Sequence, residues 1–183
     1  MKIILQVEDD PNDVYFFRHA MNRLHVQNPV HVVTDGREAV DYLKGAGKFA
    51  DREQFPMPDL MLLDLKLPHL MGLDVLHWIR KEARLDLVVL LLTASAEEVD
   101  IAAAYHLGAN AFLVKPSDAK KMVELVKSMA DFWLTHNTLP QVPYSTRPRF
   151  RAPRRATEPR SKQLFSLNGN SSRPRSSIAK INL

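Results

Sequence analysis

The stretch Leu60-Met61-Leu62-Leu63-Asp64-Leu65-Lys66-Leu67-Pro68 opens with an almost unbroken apolar run of five residues that ends on a carboxylate. A strand with one face in water alternates apolar and polar residues, whereas a continuous run suits a strand buried on both faces of a parallel sheet. Pro68 shuts off regular structure soon afterwards. In open parallel sheets, ligands bind just beyond the carboxyl ends of the strands. Asp64 therefore stands where chemistry is expected, and the rest of the chain decides which chemistry.

Upstream, residues 2–7 form a short apolar strand that ends at Glu8-Asp9-Asp10. Pro11 suits a first helical position, where its missing N–H would be unpaired anyway, and Asp10 is a good N-cap. Asp13 favours the positive end of the same helix. Val14, Phe17, Met21 and Leu24 recur at helical spacing, so residues 11–24 read as an amphipathic helix. Residues 30–33 are a second strand, Thr34-Asp35-Gly36 turns into a helix over 37–44, and a long polar connection fills 45–58. Asp59, just before the strand, reads as solvated.

Downstream, Gly72 opens a helix that turns Leu73, Leu76, Ile79 and Trp78 inward. Residues 87–92 are another apolar run, ending at Thr93-Ala94-Ser95. An alanine-rich helix over 97–107 closes at Gly108, a natural residue for the left-handed turn after a helix. Residues 111–114 are a fifth strand, cut off by Lys115-Pro116. Ser117 or Asp118 caps a last helix with Met122, Leu125, Val126, Met129 and Trp133 on one face. Five short apolar strands alternating with five helices imply right-handed crossovers and a parallel sheet covered on both sides. The expected fold is α/β and flavodoxin-like, a (βα)5 doubly wound five-stranded parallel sheet in the order 2-1-3-4-5.

With 183 residues, 45% of them hydrophobic, the chain can bury a core of ordinary domain size. It has no cysteine, which excludes disulfides and thiolate metal sites. The first apolar run is too short for a signal peptide and ends in acids, and no run approaches the roughly 20 apolar residues of a membrane helix. The chain reads as soluble and cytoplasmic. Its net charge of +4 conceals two halves of opposite sign. Residues 1–139 hold 15 Lys and Arg against 20 Asp and Glu, whereas residues 140–183 hold 10 against one, Glu158. The second stretch also carries 6 of the 12 prolines and shows no sustained periodicity. Residues 1–139 are expected to be one domain, and residues 140–183 a basic, disordered tail with too little apolar surface to offset ordering.

The strands deliver Glu8, Asp9, Asp64, Thr93 and Lys115 to one rim. Two carboxylates ~4 Å apart repel by about 4 kcal/mol at an effective dielectric of 20. Gathering three therefore calls for a divalent cation, a strongly raised pKa, or compensation by Lys115. An all-oxygen set suits Mg²⁺, which keeps several waters and bridges to phosphate oxygens. The pieces fit phosphoryl transfer, with Asp64 as a nucleophile that forms an aspartyl-phosphate, and Lys115 and Thr93 holding phosphoryl oxygens.

Four segments, Val7-Glu8-Asp9-Asp10-Pro11, Leu63-Asp64-Leu65-Lys66-Leu67-Pro68 with Gly72, Leu92-Thr93-Ala94, and Phe112-Leu113-Val114-Lys115-Pro116, resemble the signatures of a response-regulator receiver domain. They come in the family's order. The resemblance implies that Asp64 accepts phosphate from a partner histidine kinase or phosphotransfer protein. It also implies that Glu8, Asp9, Asp64 and the backbone carbonyl of Lys66 bind Mg²⁺. Thr93 and Lys115 would contact the phosphoryl group, and Phe112 would be the aromatic whose rotamer follows Thr93. The acidic pair before Pro11, the long loop before the third strand and the Phe132-Trp133 end are similar to the single-domain subgroup that partners phytochrome-type and hybrid histidine kinases. Two positions depart from the family pattern: Met71 stands where Asp is frequent, and Lys66 replaces a common Asn.

Other readings are weaker. Gly45-Ala46-Gly47-Lys48 lacks the spacing and the preceding strand of a phosphate-binding loop. A haloacid-dehalogenase-like phosphatase would need a second Asp where Lys66 stands. The tail, with ten basic residues, Phe150 and Phe165, is a candidate for binding nucleic acid or anionic lipid. The seven histidines show no metal spacing and read as surface or helix residues. A switch at Thr93 and Phe112 would change the face between the fourth and fifth helices, where homodimers are expected, with Tyr105, Phe132 and Trp133 as candidate contacts. Such a protein catalyses its own phosphorylation and dephosphorylation and has no separate substrate.

Overall fold

A computed structural model describes residues 1–138. Strands β1 (Ile4–Val7), β2 (Val30–Val33), β3 (Leu60–Leu63), β4 (Val88–Thr93) and β5 (Ala111–Val114) form one parallel sheet in the order β2-β1-β3-β4-β5. The helices are α1 (Pro11–Arg23), α2 (Gly36–Lys44), α3 (Gly72–His77), α4 (Glu98–Leu107) and α5 (Ala119–Met129). This is the doubly wound, flavodoxin-like arrangement expected from the sequence. The proposed boundary near residue 139 and the basic tail lie outside the described residues. Among the described residues no helix is long and apolar enough to cross a membrane.

The apolar runs are continuous because both sides of the sheet are covered. Leu5, Val7, Met61, Leu63, Val89 and Leu91 pack into one core layer with Val75, Leu76 and Ile79 of the α3 region. Ile4, Leu60, Leu62, Leu90 and Leu92 pack into the other with Phe17, Met21, Met122 and Val126. Fully burying each such side chain contributes about 1.5–3 kcal/mol, so alternate residues of one strand anchor opposite layers. A one-residue slip would exchange the two sets, and the register is fixed accordingly. Ile4 pairs with Leu60 and Val7 with Leu63, while Leu63 is level with Leu91. The carboxyl ends of β1 and β3 therefore finish side by side.

Helix starts follow local chemistry. The Asp10 carboxylate accepts from the backbone N–H of Asn12, Asp35 from that of Glu38, and Asp118, rather than Ser117, from that of Lys121. Gly108 closes α4 at φ 97°, a left-handed conformation that a side chain would strain.

Several expectations needed correction. Helix α3 is only six residues long and widens into a π-helical turn over Trp78–Glu82. Leu76 and Ile79 are buried as expected, Leu73 and Trp78 are half-buried against the same core, and Val75 is buried with them. Asp59 is not a free surface acid, because its carboxylate accepts the Ile3 backbone N–H at 2.8 Å and ties the loop before β3 to the start of β1. His31 is neither on a helix nor fully exposed. It lies half-buried on β2 against Tyr42 and Phe55, and burial lowers its pKa.

The connection from Gly45 to Pro58 is a folded strap. The Arg52 guanidinium donates to the carbonyls of Tyr42, Leu43 and Phe55, closing the carboxyl end of α2. Phe49 and Phe55 meet edge to face at 5.2 Å beside the buried Tyr42. The Tyr42 hydroxyl donates to the Pro56 carbonyl at 2.9 Å, and burial pushes its pKa up to about 12. Tyr42→Phe deletes that bond and leaves the carbonyl short of a donor. Urea denaturation should show a loss of about 1 kcal/mol with an unchanged slope.

Candidate functional site

The sheet ladder runs one residue past the strands and delivers the site. The Glu8 N–H donates to the Val33 carbonyl, the Asp64 N–H to the Val7 carbonyl, and the Lys115 N–H to the Thr93 carbonyl. Because side chains alternate along a strand, Glu8 turns inward and is buried while its neighbour Asp9 is exposed. Glu8, Asp9 and Asp64 each bring a carboxylate oxygen to within 4.8 Å of one another. Thr93 is buried at the end of β4, where its hydroxyl oxygen accepts the Ser95 N–H at 3.3 Å. Ser95 in turn donates to Asp100 on α4 at 2.6 Å.

Lys115 reaches back across the rim from the end of β5. Its ammonium donates to Glu8 Oε2 at 2.5 Å, Asp13 Oδ2 at 2.7 Å and Asp64 Oδ2 at 2.8 Å. A lysine has three N–H donors, so every one is used. Asp64 is held from its other side by the backbone, with Oδ1 accepting the Leu65 N–H at 2.5 Å and the Lys66 N–H at 3.3 Å.

The loop after Asp64 is clamped by packing. Leu65 and Leu67 are buried, which leaves the intervening Lys66 side chain exposed. Gly72 lies so close that a Cβ there would stand 2.0 Å from the Asp64 carbonyl oxygen, and its N–H donates to the Leu65 carbonyl at 2.9 Å. Only glycine lets α3 begin this close to the loop after Asp64.

The electrostatics show an excess of acid. Burial raises the Glu8 pKa to about 7 against the opposing pull of Lys115, with Asp64 and Asp13 adding to the rise. Burial alone would lower the Lys115 pKa, but hydrogen bonds to Asp13, Asp64 and Glu8 outweigh it and hold the pKa above the usual lysine range. Glu8 is raised chiefly by its burial and Lys115 by its three acid partners, and one ammonium faces three carboxylates. The donor set is oxygen throughout and short of positive charge, which fits a hard divalent cation.

The residues singled out in the sequence, Glu8, Asp9, Asp64, Thr93 and Lys115, are thus brought to the same end of the sheet. Phe112 is half-buried on β5, level with Leu91 and packed against the α3-side core. Asp13 was missed. Its place in the first turn of α1 reads as complementing the helix end, and only the fold shows it turned toward Lys115, 102 residues away.

Comparison with known proteins agrees with this geometry. Residues 4–127 match the response regulator receiver domain. The chain belongs to that family. It is 34% identical over 140 residues to the response regulator Rcp1 of Synechocystis sp., a match covering 76% of this chain and 93% of Rcp1. A structure of Rcp1 in its Mn(2+)-bound form superposes with a TM-score of 0.69 at 33% identity, over 76% of this chain and 99% of that one. The phosphorylated cyanobacterial phytochrome response regulator RcpA gives a TM-score of 0.70 at 36% identity, covering 76% of this chain and 98% of RcpA. The bacteriophytochrome response regulator RtBRR gives 0.61 at 42% identity, covering 77% and 85%. The chain is therefore a receiver of two-component signalling, similar to phytochrome and bacteriophytochrome response regulators.

Lys115→Met removes the cation that, among the described residues, pairs with Glu8, Asp13 and Asp64. Breaking a buried pair from one side costs about 3–5 kcal/mol where the remaining charge finds no other partner. In chelator-treated protein the melting temperature should fall by several degrees, and millimolar Mg²⁺ should narrow the gap to wild type. Calorimetric melts with and without Mg²⁺ check both.

Proposed function

We propose that this protein is a single-domain response regulator that accepts a phosphoryl group on Asp64 from a histidine kinase or phosphotransfer protein. The observation that carries this reading is a carboxylate at the end of the central strand, contacted by Lys115 at 2.8 Å and flanked by the carboxylates of Glu8 and Asp9. Similarity to phytochrome response regulators supports a phytochrome-type kinase as the donor.

In the reaction, an Asp64 oxygen attacks phosphorus and forms a P–O bond as the P–N bond of a phosphohistidine breaks. The electron pair stays on the imidazole nitrogen, which then takes a proton from water. A divalent cation, Mg²⁺ by this reading, would be held by Glu8, Asp9, Asp64 and the Lys66 carbonyl, and would neutralise carboxylate charge while polarising the phosphoryl oxygens. Lys115 stabilises charge on those oxygens, and the Thr93 hydroxyl donates to one of them. The backbone N–H groups of Leu65 and Lys66 fix the orientation of the acceptor, so positioning supplies much of the rate. Hydrolysis reverses the outcome when water attacks phosphorus and inorganic phosphate leaves the regenerated carboxylate.

Output is proposed to pass from Thr93 through Phe112 to the face formed by α4, β5 and α5. Exposed apolar side chains at Tyr105, Val114 and Phe132 support a protein partner there, a second copy included. Trp133 is half-buried and packs against the α5-side core, so its part in such a contact is smaller.

Incubation with Mg²⁺ and acetyl phosphate should give an acid-stable, base-labile phosphate adduct, absent in Asp64→Ala. An adduct that persists in that variant would sink the assignment. Lys66 is exposed two residues beyond Asp64, and by this reading its long cationic side chain meets the phosphoryl group. Lys66→Asn should change the adduct's half-life by roughly threefold or more, the scale of a screened charge contact. Equal half-lives would remove Lys66 from the chemistry.

A further inference from the structure

The three bonds of Lys115 are not equivalent. Its own side chain is 6% exposed, and its partners Glu8, Asp64 and Asp13 have side chains 3%, 10% and 32% exposed. All three ammonium protons are committed. For Lys115 to meet an oxygen of a phosphoryl group on Asp64, at least one of these bonds has to open. The Glu8 side chain is almost fully buried, so water is poorly placed to take over its bond to the ammonium. Asp64 is itself the carrier. Asp13 is the partner that water can take over, because a third of its side chain is already solvated.

Asp13 also differs from the other two in where it is anchored. Glu8 and Asp64 sit on strand ends fixed by the sheet ladder, whereas Asp13 belongs to the first turn of α1. An acid three residues after an N-cap often reaches back to the cap's own N–H. Here the Asp10 N–H is served by Glu8 Oε1 at 3.3 Å, and Asp13 turns to Lys115 instead.

From this geometry we propose that Asp13 is a positioning residue, the resting counter-ion of Lys115, which it releases when a phosphoryl group arrives on Asp64. The proposal rests on the reading of Asp64 as acceptor and adds a control on how readily that acceptor is used. Asp13 holds the ammonium over the site in the resting state. It carries the same sign of charge as the incoming phosphoryl oxygens and competes with them for one N–H. It also adds to the negative field that attracts a divalent cation.

The test compares wild type, Asp13→Asn and Asp13→Glu in the full chain. Phosphorylation by acetyl phosphate, in which a P–O bond forms at Asp64 and acetate leaves with its electron pair, is followed at saturating Mg²⁺. Mg²⁺ and Mn²⁺ affinities are measured separately by titration calorimetry without any phosphate donor. Asp13→Asn should phosphorylate roughly three- to tenfold faster and bind either cation weaker by a similar factor, the scale of one screened charge at this range. Asp13→Glu, which keeps the charge, should stay within about twofold of wild type on both readouts. Melting curves establish that each variant is folded. A folded Asp13→Asn with unchanged or slower phosphorylation, or with unchanged cation affinity, overturns the proposal, as does Asp13→Glu behaving like Asp13→Asn. An adduct surviving Asp64→Ala would instead defeat the acceptor assignment, so the two failures are separable.

Discussion

One ammonium shared among three carboxylates holds the working end of this molecule together. Lys115 comes from the end of β5, Glu8 from β1, Asp64 from β3 and Asp13 from α1, so a single side chain ties four elements that are far apart in sequence. Such a cluster adds little to stability, because the desolvation of its charges offsets most of their attraction. Its value is the imbalance. Acid exceeds base, and such an all-oxygen surplus suits a hard divalent cation.

The sheet supplies the precision this cluster requires. Opposite core layers claim alternate residues of every central strand, which fixes register to the residue and brings the strand ends level. Backbone hydrogen bonds continue past β1, β3 and β5, so Glu8, Asp64 and Lys115 are placed by the ladder itself rather than by loose loops. Gly72 completes the arrangement by letting the start of α3 press on the Asp64 carbonyl. The loop after Asp64 is thus held by the sheet on one side and by a helix on the other.

Elements governed by neighbours in sequence were readable from the sequence. The strand runs, the cap at Asp10, the left-handed turn at Gly108 and the amphipathic stripes of α1 and α5 all depend on residues a few positions apart. Departures occurred where distant partners decide. Asp59 finds the Ile3 N–H across 56 residues, Arg52 and Tyr42 fold the long connection into a strap, and α3 passes into a π-helical turn after six residues. No local pattern announces any of these.

The sequence by itself determined the fold class, the family and the acids and base of the rim, because hydrophobic periodicity and strand-end residues are properties of short segments. Only the tertiary structure decided how the charges are shared. It buried Glu8 while exposing its neighbour Asp9, committed all three protons of Lys115, and drew Asp13 into the cluster. The reason is geometric: a hydrogen bond forms within about 3 Å, and bringing residues 102 positions apart to that distance takes the packed sheet and α1 together.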